Sequence, residues 1–342
     1  MQVLVCKEPS EFEYLEEDCP EVKPGYSLLK VQAIGICGTD LHAFDGSQPF
    51  FQYPRVLGHE IAAEIIATEH PEFKVGQLVT FLPYFNCGHC YSCQSGKENC
   101  CQELAVFGVH IDGGMKEFIQ VPNQYLVDAN GLKKEELALV EPYSIALHAV
   151  RRSGLVAEET AVIVGAGPIG LAAATFAFLS NAKVLVIDIN EDRLELCRKM
   201  LPKVETCNAR SGLLIEKISE FSNGRMANVL FDATGNLEAI KSSFSYLAHG
   251  GRFVLIGLQK GDISFNHPEF HKREATLMSS RNANRKDFED VIAFMKTGEM
   301  NFQDIITHRI PFNQLAEEFP NLINPENKVL KALVQFNKSI KS

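Results

Sequence analysis

The hydrophobic positions change their rhythm near residue 155. Before it, short alternating or apolar runs, Ser27 to Ala33, Ile61 to Thr68 and Leu78 to Leu82, are broken by Pro24-Gly25, Gly35, Gly58 and Gly76. Such punctuation predicts short, mostly antiparallel strands joined by tight turns. Met1 to Cys6 reads as a first strand, not as the basic start of a cleavable leader. From Thr160 the pattern becomes strand, helix, strand, helix: Ala161 to Val164, Ile169 to Leu179, Lys183 to Ile187, Glu191 to Met200. Further apolar strands at Val229 to Asp232, Arg252 to Ile256 and Thr276 to Met278 alternate with helical stretches, the signature of a doubly wound parallel sheet. After Arg281 amphipathic helix and short strands return, ending in Lys331 to Gln335. Both chain ends are therefore expected in one domain, residues 1–152 and 285–342, with a nucleotide-type domain, 153–284, inserted.

Composition narrows the classes of function. A chain of 342 residues is too long for one simple core, which agrees with two domains. With 46% hydrophobic and 22% charged residues it reads as a soluble globular protein. The net charge of −10 argues against nucleic acid or an anionic membrane as partner, while leaving room for a local basic pocket for an anionic small molecule. No apolar stretch reaches transmembrane length. Ten cysteines spread over this length suit a reducing compartment better than a disulfide framework, so a cytoplasmic location is expected.

Four of those cysteines, Cys87, Cys90, Cys93 and Cys101, are separated by two, two and seven residues, in a loop that also holds Gly88, His89, Ser92 and Gly96. Thiolates at such spacing can wrap one tetrahedral zinc, and four sulfurs leave no position open for substrate, so this lobe, 86–101, reads as structural. Cys100 is adjacent and competes with Cys101 on paper.

The parallel sheet opens with Val162-Ile-Val-Gly165-Ala-Gly167-Pro168-Ile169-Gly170. A glycine triplet alone is weak evidence; one that follows an apolar strand, opens an apolar helix and precedes a second strand ending at Asp188 is a dinucleotide fingerprint. Gly165 permits the turn, Gly167 lets backbone approach the pyrophosphate, Gly170 lets the helix pack on the sheet, and the helix N-terminus faces the phosphates. Asp188 would accept from the adenosine ribose hydroxyls and repel a 2′-phosphate, which favours NAD over NADP. Arg193 is placed on the adenosine side or at a solvated helix face.

A mixed donor set lies in the first domain: Cys37-Gly-Thr39-Asp40-Leu-His42, Gly58-His59-Glu60 and Glu141-Pro142. None is decisive alone, since a lone Cys or His is usually a core residue and Glu141-Pro142 also fits a helix start. Together they supply one thiolate, one imidazole and two carboxylates, a set suited to a zinc that keeps a position for water or a substrate oxygen.

On these motifs, in this order and over essentially the whole length, the chain resembles the zinc-containing medium-chain dehydrogenases, the superfamily of alcohol, sorbitol and threonine dehydrogenases. The resemblance implies an α/β protein: a GroES-like β-rich catalytic domain with an inserted Rossmann doubly wound parallel sheet. It also implies two zincs, NAD as cofactor, Cys101 as the fourth knot ligand, and assembly as a homodimer or homotetramer. Glu141 stands where classical alcohol dehydrogenases carry a second cysteine, as in the polyol and threonine branches; whether Glu60, Glu141 or both bind the catalytic zinc with Cys37 and His59 stays open. The implied chemistry is Lewis-acid activation of a hydroxyl, hydride transfer to nicotinamide, and proton exit through Thr39 and His42, with Asp40 orienting His59.

The run Ser279-Ser-Arg281-Asn-Ala-Asn284-Arg285 resembles that of sugar-acid dehydrogenases, which implies a polyhydroxy or sugar-acid substrate, such as C5 of L-gulonate or L-galactonate. Arg281 is the residue that would grip its carboxylate; a helix-start or interdomain salt bridge is an equal reading. Sorbitol, threonine or another secondary alcohol is the runner-up. From another class comes a non-catalytic binding protein on this fold, against which the presence of Cys37, Thr39, His42, His59 and Glu60 weighs.

Overall fold

Parallel strands covered on both faces must be apolar throughout, and Thr160–Val164 is buried at every position. It forms the centre of a six-stranded all-parallel sheet in the order Glu205–Asn208, Lys183–Asp188, Thr160–Val164, Ala227–Asp232, Leu247–Leu255, Thr276–Ser279. This is the doubly wound order with its reversal between the first and fourth strands in sequence. The helix Pro168–Leu179 between the first two strands is apolar nearly all round, with Gly170 to Ala177 buried, as a helix lodged against a sheet requires. Val162, Leu185, Leu230 and Phe253 belong to one continuous core with Ile218 and Tyr246.

The computed structural model describes residues 1–49, 51–299 and 301–336. The chain forms two compact units, Met1–Glu141 with Asn284–Ser342, and Pro142–Ala283. The first division thus falls at Glu141/Pro142, earlier than the expected 152/153. It lies inside the helix Val140–Ser153, whose buried Tyr143 packs edge-on against Phe176 of the second unit. Packing, not the end of the helix, decides where that stretch belongs. The second division, 283/284, is one residue from the expected 284/285.

The first unit is built on a seven-stranded sheet. Its path runs Leu126–Asp128, Leu78–Phe81, Glu60–Ala67, Tyr26–Gly35, Lys331–Gln335, Ile306–Pro311, with Phe118–Pro122 also pairing Tyr26–Gly35. A three-stranded sheet of Glu11–Glu16, Gln2–Glu8 and Arg55–Val56 adjoins it in sequence. Among the described residues no helix is long and apolar enough to cross a membrane.

Candidate functional site

Strand register gathers the mixed donor set. Tyr26–Gly35 runs antiparallel to Glu60–Ala67, with Gly35 opposite Glu60, and antiparallel to Lys331–Gln335, with Gly35 opposite Leu333. Cys37 follows the end of the first strand, His59 precedes the second, and Lys331 starts the third, so all three reach one end of the sheet. The ligand atoms of Cys37, His59 and Glu60 lie within 4.8 Å of one another. Gly35 gives Glu60 its room: a Cβ there would stand 2.0 Å from Glu60 Oε2.

Neighbours fix each member of the set. Asp40, one turn into the helix Gly38–Phe44, accepts from Cys37 N (2.9 Å) through Oδ2 and from Gly58 N (3.0 Å) through Oδ1. It staples the loop carrying Cys37 to the loop carrying His59. Asp40 Oδ1 also lies 3.9 Å from His59 Nδ1, a charge contact on the buried side of the ring. Lys331 Nζ pairs with Glu60 and donates to Ile36 O at 3.1 Å. Glu141, outside the group of three, accepts from Tyr84 OH through Oε1. Tyr84 and Lys331 have no counterpart in the sequence reading. The one signal that sequence offered for Lys331 was a lysine opening an apolar strand.

Asp40, His59, Glu60, Glu141 and Lys331 are all buried. Burial pushes the Asp40 carboxyl up, and pushes Glu141 up to about 7 against the pull of His59. On His59 burial acts downward, but Cys37, Asp40 and Glu141 outweigh it and hold the imidazole well above its usual range. Burial likewise lowers Lys331, and Glu60 with Cys37 outweighs it, keeping the amine charged. His59 Nδ1 and Glu141 Oε2 are buried without hydrogen-bond partners, each an omission worth about 1–3 kcal/mol. An acidic patch with a thiol, an imidazole and orphaned polar atoms fits a zinc ion in its donors and its charge.

The cysteine lobe also fits zinc. Sulfur separations are 3.5 Å for Cys90–Cys93, 3.9 Å for Cys90–Cys101 and 4.0 Å for Cys87–Cys93. Zinc–sulfur bonds of about 2.3 Å set tetrahedral edges of about 3.8 Å. Backbone N–H groups of Cys87 and Glu103 point at Cys101 Sγ and that of Cys90 at Cys87 Sγ, each at 3.3 Å. Such donors favour thiolates: backbone bonds pull Cys90 down to about 6, while at Cys101 burial outweighs them and pushes the thiol up to about 11. Cys101 joins the group while Cys100 is exposed and outside it.

In the second unit the glycine loop is shaped by its contacts. Gly165 has φ +103°, and a Cβ there would meet Thr234 at 2.9 Å; one at Gly170 would sit 1.7 Å from Gly165 O. Gly167 caps the helix begun by Pro168 and Ile169, and its built Cβ meets only Arg193 Nη1, at 4.0 Å, which leaves its backbone open to a close ligand. Asp188 accepts from Ala166 N (2.6 Å) and Asn190 N (2.8 Å), one bond per oxygen, so it fixes the loop and retains a lone pair on each oxygen. Arg281 is exposed in the loop after Thr276–Ser279. Thr39 and His42 lie three apart on the helix Gly38–Phe44, Thr39 half-buried and His42 exposed with Nδ1 held by Ser47 Oγ at 2.9 Å.

Comparison with known proteins places this geometry. The alcohol dehydrogenase GroES-like domain model matches residues 23–131, and the zinc-binding dehydrogenase model matches 168–297. An L-galactonate-5-dehydrogenase of Escherichia coli (strain K12) is 40% identical over 340 residues, 98% of this chain and 99% of that protein. A sorbitol dehydrogenase of Bacillus subtilis (strain 168) is 30% identical, covering 93% of this chain and 92% of its own. The solved structure of the alcohol dehydrogenase rspB of E. coli CFT073, complexed with NADH, superposes with a TM-score of 0.90 at 29% identity, over 98% of this chain and 99% of the other. A thiol, an imidazole and a carboxylate gathered by the register of a GroES-like sheet, a four-cysteine lobe and a fingerprinted parallel sheet, in a sequence this similar along its whole length, mean that the chain belongs to the zinc-dependent medium-chain dehydrogenases, close to the sugar-acid dehydrogenases.

Proposed function

We propose that the protein oxidises a secondary alcohol with hydride transfer to NAD, the reacting carbon being C5 of a hexonate such as L-gulonate or L-galactonate. The observation that carries this reading is the 40% identity, over nearly the full length of both chains, to a protein named for oxidation at C5 of L-galactonate. Cys37, His59 and a carboxylate from Glu60 or Glu141 would hold a catalytic zinc, and Cys87, Cys90, Cys93 and Cys101 a structural one, two per chain. Bound at the first site, zinc would supply Lewis-acid stabilisation of the deprotonating hydroxyl, and NAD would accept the hydride.

The chain's own groups do the rest. Asp40 holds the Cys37 and His59 loops together through its two backbone bonds. Thr39 Oγ1 accepts the substrate hydroxyl's proton as its own hydroxyl proton moves on, and His42 is the exit to water through Nε2, since its Nδ1 is engaged by Ser47 and the ring is exposed. The loop from Gly165 to Gly170 and the N-terminus of the following helix receive the pyrophosphate, Asp188 receives the ribose, and Arg193 lines the adenosine side. The active protein is a homodimer or homotetramer in the cytoplasm.

Cofactor choice is tested at Asp188. Asp188→Ser removes the ribose acceptor and the charge that opposes a 2′-phosphate, so the Michaelis constant for NAD should rise about tenfold or more while NADP gains relative to it. Steady-state kinetics with both cofactors decide the matter; a native protein that already prefers NADP removes the role given to Asp188.

Substrate charge is tested at Arg281. If its guanidinium holds the carboxylate, L-galactonate or L-gulonate should be oxidised far better than the uncharged hexitol, since losing a charge-assisted pair costs about 2–3 kcal/mol, or about 30- to 150-fold. Arg281→Ala should erase most of that preference. The similarity to a sorbitol dehydrogenase supports the second reading, a polyol substrate. Equal or better turnover of sorbitol would establish it, and exclusive turnover of threonine would move the assignment to amino-acid oxidation.

A further inference from the structure

The cysteine lobe carries a second group of donors on its outside. Ligand atoms of Cys87, His89 and Glu103 lie within 4.8 Å of one another, with Cys87 half-buried and the side chains of His89 and Glu103 71% and 65% exposed. Backbone brings them together from the two ends of the lobe. Gly88, with φ +76°, turns the chain between Cys87 and His89, and His89 Nδ1 lies 3.0 Å from Cys87 O. At the other end Glu103 N donates to Cys101 Sγ at 3.3 Å, which pins that residue beside the knot. A carbonyl oxygen only accepts, so Nδ1 carries the proton of its bond to Cys87 O, and the lone pair of the neutral ring is on Nε2. Nε2 faces Glu103 Oε1 at 3.5 Å. Two acceptors so placed repel unless a cation lies between them. A proton would satisfy that pair alone. The Cys87 sulfur as a third donor, and the two negative charges that a divalent ion leaves on four thiolates, favour a metal. A ring that gives its other N–H to a carbonyl is also the usual arrangement of a histidine ligand.

We propose that Cys87, His89 and Glu103 form a further metal site on the surface of the lobe, for a divalent transition-metal ion, which shares the Cys87 sulfur with the knot and keeps a position for water. Bonds of about 2.0–2.1 Å to nitrogen and oxygen span about 3.4 Å at the tetrahedral angle, close to the 3.5 Å between His89 Nε2 and Glu103 Oε1. A thiolate bound to one zinc retains lone pairs and can bridge to a second ion. Nitrogen, oxygen and sulfur donors together select ions such as Zn²⁺ or Co²⁺ over Mg²⁺ and Ca²⁺. Exposure of two of the three donors lets this ion exchange with solvent, unlike the one enclosed by four sulfurs. The site rests on the knot reading for its shared sulfur.

The test is titration of the full-length zinc-loaded protein with Co²⁺, read by metal per chain after equilibrium dialysis and by the near-ultraviolet absorption of a thiolate bound to cobalt. The native protein should take up one further Co²⁺ per chain with that absorption. His89→Ala and Glu103→Gln should each weaken the uptake at least about tenfold, while resident zinc, turnover and thermal midpoint stay at native values. Cobalt held by exposed histidines alone, such as His267 and His271 with ring centroids 5.9 Å apart, gives no thiolate absorption. No uptake with the thiolate absorption, or uptake indifferent to both substitutions, overturns the site. Uptake that depends on His89 and Glu103 but lacks the absorption overturns the sharing of Cys87. Resident zinc is counted before the titration, so an unfilled knot, which would take cobalt in both variants as well, is recognised as failure of the knot reading and overturns the shared site with it.

Discussion

Replacing Cys37 with serine, or His59 with alanine, is expected to abolish turnover while leaving a folded protein that binds NAD. Each residue supplies one of the two non-carboxylate donors of the mixed site, and each is placed by backbone that Asp40 holds, so neither change disturbs the sheet that gathers them. Loss of Lewis-acid stabilisation worth about 4 kcal/mol lowers kcat/KM about a thousandfold. The fingerprint loop and Asp188 lie in the other compact unit, so NADH binding, read by its fluorescence, should stay within a fewfold of the native value. Activity retained in either variant would remove these residues from the chemistry.

What could be read in the chain divides according to the range of the interactions. The cysteine knot and the glycine fingerprint are local: spacing along fewer than twenty residues sets which atoms can meet, and the structure brings Cys87, Cys90, Cys93 and Cys101 together while leaving Cys100 out. The parallel strands were legible because burial on both faces makes them apolar throughout, as in Thr160–Val164. Glu205–Asn208, at the sheet edge and only half-buried, carries no such run and gave no signal. Lys331 could not be connected to Glu60 from sequence, because their contact depends on the register by which Lys331–Gln335 and Glu60–Ala67 flank Tyr26–Gly35. Tyr84 and Glu141 meet across 57 residues, a strand-to-helix contact that local spacing does not give. For Asp40 the residue type pointed to an imidazole partner, and His59 does lie 3.9 Å away, but the two backbone amides it also binds depend on a loop contact that sequence does not encode. The division of the chain inside Val140–Ser153 follows from side-chain packing of Tyr143 on Phe176, which helix periodicity does not encode.

The cysteine lobe is expected to respond in the opposite way to the mixed site: Cys87→Ser should cost metal and stability first and activity only as a consequence. The core of the lobe consists of Cys90, Cys93 and Cys101, with Cys87 and Leu104 packed on it. Around it the chain forms one short helix, Tyr91–Gln94, and a single 3-10 turn, Glu98–Cys100, with Tyr91 almost fully exposed. One leucine cannot offset the ordering of such a loop, at about 1–2 kcal/mol per residue, so the metal must supply that free energy. Serine at 87 removes one thiolate and also the sulfur that accepts from Cys90 N. The variant should therefore lose one zinc per chain, and residues 87–104 should become open to proteases at concentrations that leave the native lobe intact. If about 3 kcal/mol of the lost free energy reaches the first unit as a whole, its thermal midpoint falls by about 6–12 °C. Metal per chain by mass spectrometry, limited proteolysis and calorimetry check the three effects separately. Full metal content with an unchanged midpoint would show that the sulfurs do not hold the lobe together, and would return Cys87, Cys90, Cys93 and Cys101 to the status of ordinary thiols.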